Sequence, residues 1–186
     1  MINESAVNKH FKKMWKKGQI FVEDSSPGYL ISDVNLILRV PEGLRLFDDR
    51  ALFPELPPEN KCYTYGKLYS KLHGFLKVGP EIEELIKNFL KEDLAEIQAT
   101  PWRYEDAVLM HNNEKYLFVN QQFLNLLAGN YTGYNNIERK DSPVIYGDSK
   151  DIKKVFAVIM PMRIDFTRED CSKFPNIPEL IEETKG

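Results

Sequence analysis

The stretch that most constrains the fold lies in the last quarter of the chain, where residues 155–164 read VFAVIMPMRI. An unbroken apolar run from Val155 to Ile159, rich in β-branched residues, is typical of a strand that is buried on both faces. Pro161 has no amide hydrogen to donate, so a central strand must end before it or become an edge strand there. The sequence therefore predicts a buried strand that stops beside this proline.

Two methionines, Met160 and Met162, flank the proline, and Arg163 follows them. Methionine side chains are flexible and polarizable, so they serve either as core filler or as an adaptable surface that binds peptides. Periodicity alone favours core filler, and the peptide-binding surface remains the alternative.

The size and composition of the chain are those of an ordinary globular protein. Its 186 residues, 42% hydrophobic and 28% charged, suffice to bury a core in one domain or two small modules. No apolar run reaches the roughly 20 residues that cross a membrane, and the N-terminus lacks the apolar segment of a signal peptide. Cys62 and Cys171 lie far apart and form no metal-binding spacing, which fits a reduced, cytoplasmic compartment.

The N-terminal stretch predicts a helix from about Glu4 to Lys17 with one basic face. Its apolar residues fall at i, i+4, i+7 and i+8 and form a single stripe: Val7, Phe11, Met14 and Trp15. The opposite face carries lysines, with the last of them at its margin: Lys9, Lys12, Lys13, Lys16 and Lys17. A surface helix usually mixes charge signs, so a face of unpaired lysines is unusual.

Two interpretations of this basic face stay open. The first is a solvated face whose positive charge also suits the C-terminal end of the helix dipole. The second is a helix that contacts nucleic-acid phosphates without reading bases. The formal net charge of -3 argues against a protein that is basic all over, but it allows a local basic patch.

Three short strands are expected after this helix, over about 19–23, 28–32 and 35–40. Residues 41–105 then change character, with a proline-rich segment at 52–58 and a possible short helix at 67–76. A further helix is predicted from Pro80 to about Ala99, because its apolar residues form one stripe. We interpret this region as a helical insertion that packs on the main sheet.

Beyond residue 105 the element order of the first module is repeated. A hairpin is predicted over 107–119, followed by a short helix that Asn120 caps and that runs to Ala128. Three strands follow, over about 135–140, 142–146 and 153–164. We therefore predict one α+β domain of two strand-helix-strand modules, about 1–40 and 106–166, with the insertion between them and a tail at 167–186.

Residues 159–164 resemble the closing motif of the bacterial sliding clamp, the β subunit of DNA polymerase III. In that family the segment helps to line a hydrophobic pocket for short peptides from polymerases and other partners. The resemblance implies a partner-peptide site at Met160, Pro161, Met162 and Arg163. It also implies a DNA-clamp-like fold, in which the helices of two adjacent modules face duplex DNA, so that the lysines of the first helix contact phosphates.

Other segments share this resemblance. Residues 30–38 are similar to a clamp strand pair with a Ser-Asp step, although Val34 and Asn35 stand where the pocket-forming version has Gly-His. Residues 115–124 resemble the strand that runs directly into the second helix, and 142–145 the following strand with its Ser-Pro step. Residues 174–179 are similar to the Phe-Pro-x-Leu-Pro linker that leaves a clamp domain. The resemblance covers about 3–40 and 107–179.

The chain also departs from the family pattern. Bacterial clamps string three such domains in each chain and dimerise, whereas one domain is present here, so a closed ring implies three copies. The first module has no evident opening strand before its helix.

No motif in the sequence indicates catalysis or a cofactor. There is no glycine-rich phosphate loop, His-Glu-x-x-His or Cys-x-x-Cys, and the three histidines lie in different elements. Adjacent acids on a helix diverge and do not form a two-carboxylate site. We therefore expect a non-enzymatic, sliding-clamp-like protein of DNA replication or repair, without metal or cofactor, that binds duplex DNA non-specifically and docks partner peptides. The alternative is a clamp-fold interaction module that neither binds nor encircles DNA.

Overall fold

The computed structural model describes residues 2–17, 20–25, 27–42, 44, 62–66, 76–77, 82–111, 116–136, 138–139, 142–148 and 151–162. These residues form a mixed α and β structure that is dominated by one large antiparallel sheet with a few helices. The proline-rich segment at 52–58, the possible helix at 67–76 except for its last residue, and the tail at 167–186 lie outside the described residues; Leu76 belongs to a strand.

The helices within these ranges are α1 (Glu4–Lys17), α2 (Ile82–Phe89) and α3 (Gln121–Leu124). The strands are β1 (Ile20–Asp24), β2 (Gly28–Ser32), β3 (Leu36–Pro41), β4 (Cys62–Tyr65), β5 (Leu76–Lys77), β6 (Leu94–Tyr104), β7 (Ala107–His111), β8 (Tyr116–Asn120), β9 (Thr132–Asn136), β10 (Val144–Asp148) and β11 (Asp151–Ile159).

The strand order in the sheet is β5-β4-β1-β2-β3-β11-β10-β9-β6-β7-β8. Its centre is the antiparallel pair β3–β11, in which Leu38 lies opposite Ala157. Outward from this pair the order is symmetric, with β2, β1 and β4 on one side and β10, β9 and β6 on the other. Because α1 precedes β1 and α3 precedes β9, each half contains one helix followed by three sequential strands.

Strand β11 confirms the buried strand that the apolar run predicts. It ends at Ile159, two residues before Pro161, and lies between β3 and β10. Tyr146 pairs with Ala157 and the next residue, Gly147, pairs with Val155, so Phe156 is an extra residue that forms a bulge. The bulge lets Val155 and Val158 both join the core on one face, while Ala157 and Ile159 join the core on the other.

Helices cover both faces of the sheet. On one face α1 buries Val7 and Phe11 completely, and the end of α3 lies beside the start of α1, where the Asn3 amide donates to the Leu126 carbonyl at 2.7 Å. On the other face α2 buries Ile82 and Ile86 against strand residues that include Leu30, Ile145 and Val158. The central strands are therefore apolar on both sides, which explains their nearly continuous hydrophobic runs.

Polar contacts fix α2 to the sheet. The buried Glu23 carboxylate accepts hydrogen bonds from the backbone amides of Ile82 and Glu83 and so satisfies two donors at the start of the helix. Arg39 donates to the Glu83 carboxylate at 2.7 Å and to the Ser25 hydroxyl at 2.8 Å. These contacts join α2 to strand β1, to the turn that follows it and to strand β3.

The structure corrects the helix that the sequence predicts from Pro80 to Ala99. The helix ends at Phe89, and residues 94–104 form strand β6 between β9 and β7. In β6 the side chains of Leu94 and Ile97 pack into cores on opposite faces of the sheet, so the apolar stripe does not continue along one helix face. Strand pairing with β9, from Leu94 to Ile97, outweighs local helix propensity here.

Further bounds differ from the sequence prediction, among them the strand expected over about 135–140, which is Thr132–Asn136, and the strand expected over 153–164, which is Asp151–Ile159. The range 41–105 contributes strands β4, β5 and β6 as well as a helix, so it extends the sheet rather than only packing on it. Helix α3 ends at Leu124 instead of Ala128, although its predicted cap is confirmed: the Asn120 carboxamide accepts from the Gln122 amide at 2.8 Å. None of the helices in the described ranges is long and apolar enough to cross a membrane.

Candidate functional site

The basic residues of α1 form one exposed surface, which we call the lysine face: Lys9, Lys12, Lys13, Lys16 and Lys17. All five side chains are exposed, because the buried Val7 and Phe11 turn the opposite side of the helix toward the sheet. Within the described part of the chain, none of these lysines pairs with a carboxylate.

The charge distribution along α1 is asymmetric. Its acidic residue, Glu4, lies in the first turn, while Lys16 and Lys17 lie in the last. This arrangement suits the helix dipole at both ends. It also leaves the middle and end of the helix with positive charge alone, which is the electrostatic pattern that attracts a phosphate backbone without base recognition.

A histidine at the margin of the lysine face connects α1 to the turn between β2 and β3. The His10 Nε2 atom lies 2.6 Å from Asp33 Oδ2, and the two side chains are 15% and 2% exposed. These two atoms share one hydrogen bond between α1 and the turn. The His10 ring is held edge-on by Phe11 and by Phe123 of the α3 segment, at 5.1 Å and 5.6 Å between ring centroids.

The β2–β3 turn has a strained residue at its tip. The Asp33 amide donates to the Leu36 carbonyl at 3.1 Å, which leaves Val34 and Asn35 as the two central residues of the hairpin. Val34 has a φ of 83°, a left-handed conformation that a β-branched residue rarely adopts. The Asn35 amide donates to Asp33 Oδ1 at 3.1 Å and so holds the turn to the buried carboxylate.

Three exposed apolar residues lie at this turn and on the segment that follows β11, and we call them together the apolar patch: Val34, Met160 and Met162. These three residues, 69%, 37% and 36% exposed, are the large hydrophobic side chains that stand out as exposed among the described residues. The Met160 amide donates to the Asn35 carbonyl at 2.8 Å, and the Met162 amide donates to the Phe118 carbonyl at 2.7 Å. The segment after β11 therefore runs from the β2–β3 turn to strand β8.

The exposure of both methionines contradicts the core-filler interpretation that periodicity favours. The reason is that β11 ends at Ile159, so the residues that follow no longer alternate between two covered faces of a sheet. Pro161 is half-buried between them, and Arg163 lies outside the described residues.

Ionisable groups elsewhere in the described ranges do not form a reactive cluster. These ranges contain no group of three or more His, Cys, Asp or Glu side chains that could hold a metal ion. Burial, assisted by the neighbouring Glu23 charge, raises the pKa of Cys62 to about 12. The thiol is therefore protonated at neutral pH and a poor nucleophile.

Sequence reasoning located the lysine face and the methionine segment but did not connect them. The His10–Asp33 contact joins residues that are 23 positions apart, and no local pattern indicates it. The left-handed conformation of Val34 was also missed, because a valine gives no signal for a position that usually takes glycine. The short loop between two apolar strands is the one feature of the sequence that indicates a tight turn at this position.

Comparison with known proteins adds no relative to this description. The chain matches no protein-family model, and no curated protein or solved structure matches it.

Proposed function

We propose that this chain is a non-enzymatic, clamp-like protein of DNA replication or repair that binds duplex DNA without sequence preference and docks partner proteins. The observation that carries the proposal is the lysine face, five exposed lysines on one helix with no paired carboxylate in the described structure. Such a surface neutralises phosphates and releases counterions, which is the main source of non-specific DNA affinity.

The arrangement of the sheet supports a clamp-like interpretation of the fold. Two helix-strand-strand-strand halves meet at the β3–β11 pair, and α1 and α3 lie on the same face of the sheet. A surface that carries two helices side by side suits the backbone of a duplex, because helices from both halves can approach adjacent phosphates. The exposed Gln122 of α3 and the exposed Asn125 directly after it are uncharged, and they hydrogen-bond to Asp106 and Gln121 respectively.

The apolar patch supports the docking part of the proposal. Flexible methionine side chains adapt to different apolar partners, and here two of them stand exposed on one three-residue segment after β11. We propose that Met160, Pro161, Met162 and Arg163, with Val34 beside them, receive a short apolar peptide segment of a partner.

The salt dependence of duplex binding tests the DNA part. Fluorescence anisotropy with a labelled duplex at several salt concentrations is expected to give a slope of about −0.9 per phosphate contact in a plot of log K against log salt. Replacing Lys12 and Lys16 by glutamine is expected to reduce the slope by about 1.8, since two contacts are lost.

A matched control separates the lysine face from general charge. Lys87 and Lys91 are also exposed, but they belong to the α2 region on the opposite side of the sheet. The Lys87→Gln, Lys91→Gln double variant has the same net charge as the Lys12, Lys16 variant, and we expect its duplex affinity to stay close to wild type. Equal losses in both variants, or no affinity in the wild type, would contradict a DNA site on α1.

The second candidate function is a clamp-fold interaction module that does not bind DNA. The net charge of -3 and the apolar patch favour it. Selection of a displayed peptide library on the wild-type chain, with Met160→Asp and Met162→Asp used for counter-selection, distinguishes the two. Peptides that require both methionines, together with no salt-sensitive duplex binding, would favour this candidate.

A further inference from the structure

The lysine face and the apolar patch are joined by an unbroken series of short polar contacts. His10, on α1, contacts Asp33 at 2.6 Å. Asp33 accepts from the Asn35 amide at 3.1 Å, and the Asn35 carbonyl accepts from the Met160 amide at 2.8 Å. Three polar contacts therefore lead from the helix with the lysines to Met160, one of the residues of the patch.

The step at Asp33 is sensitive to displacement. Its side chain is 2% exposed, and a buried polar group that loses a hydrogen-bond partner destabilises the folded state. The His10 ring also packs against the rings of Phe11 and Phe123, and these contacts oppose its movement away from Asp33. A shift of α1 must therefore move Asp33, and with it the strained Val34 turn, or lose the contact.

We propose that His10 is a positioning residue that couples the two sites, so that duplex DNA bound on the lysine face changes the conformation of the apolar patch. The inference rests on the proposed function, since it needs a ligand on α1. It identifies a regulation of partner docking by DNA, and by thermodynamic linkage a partner bound at the patch changes duplex affinity by the same factor.

The experiment uses methyl resonances of methionine in the full chain. Labelled methionine places a reporter at Met160 and Met162 in the patch, at Met14 on α1 and at the buried Met110. A duplex of random sequence is added to the wild type and to His10→Leu and His10→Gln, while anisotropy gives the duplex affinity of each. Glutamine keeps an amide donor near the position of Nε2, whereas leucine removes it.

We expect duplex DNA to shift the Met160 and Met162 resonances of the wild type. In His10→Leu, at saturating duplex, these shifts are expected to fall to less than half of their wild-type size. The duplex affinity of this variant is expected to stay within about twofold of wild type. His10→Gln is expected to restore the shifts. In His10→Leu we expect the Met14 resonance still to shift when duplex is added, while the Met160 and Met162 resonances shift less. A histidine with only a structural role would change stability without this difference between Met14 and the patch.

Three outcomes overturn the inference. If His10→Leu binds duplex and keeps the full shifts at the patch, the His10–Asp33 contact does not couple the sites. If the wild type binds duplex and the patch resonances do not move, there is no coupling although the DNA site stands. If the wild type has no duplex affinity, the proposed function fails together with the inference.

Should His10→Leu be unfolded by circular dichroism, Asp33→Asn replaces it, because it removes the carboxylate charge at nearly constant volume.

Discussion

Single residues of this protein carry conformational costs that are visible in the backbone. Val34 adopts a φ of 83° at the tip of the β2–β3 hairpin, a position where two-residue turns favour glycine. Strain of this kind persists where surrounding contacts determine the conformation. Here Asp33 pairs across the turn with Leu36 and also accepts from the Asn35 amide, so the turn is held from both sides of Val34.

Val34→Gly is expected to stabilise the protein. The left-handed conformation costs a β-branched residue roughly 1–2 kcal/mol, and glycine removes that cost. Because glycine makes the unfolded chain more flexible, it also adds an entropic cost of folding of about 0.5–1 kcal/mol. We expect a net gain of about 0.5–1 kcal/mol in the free energy of unfolding, measured by urea denaturation. Val34→Thr keeps the β-branch and serves as the control, for which no gain is expected.

Gly133 shows the opposite constraint, because it lies under an aromatic ring. It pairs across the strands with Tyr146, and a Cβ at this glycine would lie 2.9 Å from the Tyr146 ring and 3.1 Å from Ile97. Gly133→Ala is therefore expected to lower the free energy of unfolding by about 1–3 kcal/mol. In a Tyr146→Leu background the same substitution should cost less, and an equal cost in both backgrounds would show that the ring is not the cause.

At the scale of elements, α2 owes its position to charge as well as to apolar contacts. Burial raises the pKa of Glu83, but hydrogen bonds from Arg39 and Ser25 and the charges of Arg39 and Lys87 outweigh it, so the pKa lies below its ordinary value of 4.5. The folded state therefore holds the Glu83 proton less tightly than the unfolded state. This contribution to stability is present above pH 4.5 and is lost as the pH falls through the lower, folded pKa.

Glu83→Gln is expected to be less stable than wild type near neutral pH, with a difference that shrinks as the solution is acidified to about pH 3. Urea denaturation at several pH values measures it. Glu84→Gln is the matched control, since Glu84 is exposed on the same helix turn and should show no such convergence. A constant difference for Glu83→Gln across the pH range would exclude the Arg39 pair as the cause.

The elements also show where sequence patterns are sufficient. The apolar stripe of α1 predicts a helix, because one buried face leaves a 3.6-residue period, and the cap residues before it and Gly18 after it predict its bounds, Glu4 to Lys17. The residues of β6 also fit a helical pattern, because the spacing of Leu94 and Ile97 suits one face of a helix as well as a strand between two cores. Only pairing with β9 and β7 distinguishes these alternatives, and it depends on residues far along the chain.

At the scale of the whole molecule, the proposed function makes a prediction about assembly. If the proposed clamp-like function includes a ring around a duplex, that ring takes several copies of the chain. Light scattering at low micromolar protein concentration, with and without DNA, measures the mass. If the protein closes a ring, we expect three times the mass of the 21.7 kDa chain. A constant monomer mass under both conditions would exclude a ring and leave a clamp-like module that binds DNA or partners from one side.

The sequence by itself determined the helix α1, the hairpin β7–β8, the strand β11 and the repeated order of elements, because each depends on local periodicity, caps and proline. It also located the lysines and the methionine segment, whose residue types are informative without coordinates. Only the tertiary structure decided that α2 covers the second face of the sheet, that Met160 and Met162 are exposed, and that His10 meets Asp33. Those features arise from contacts between distant parts of the chain, for which local residue patterns carry no signal.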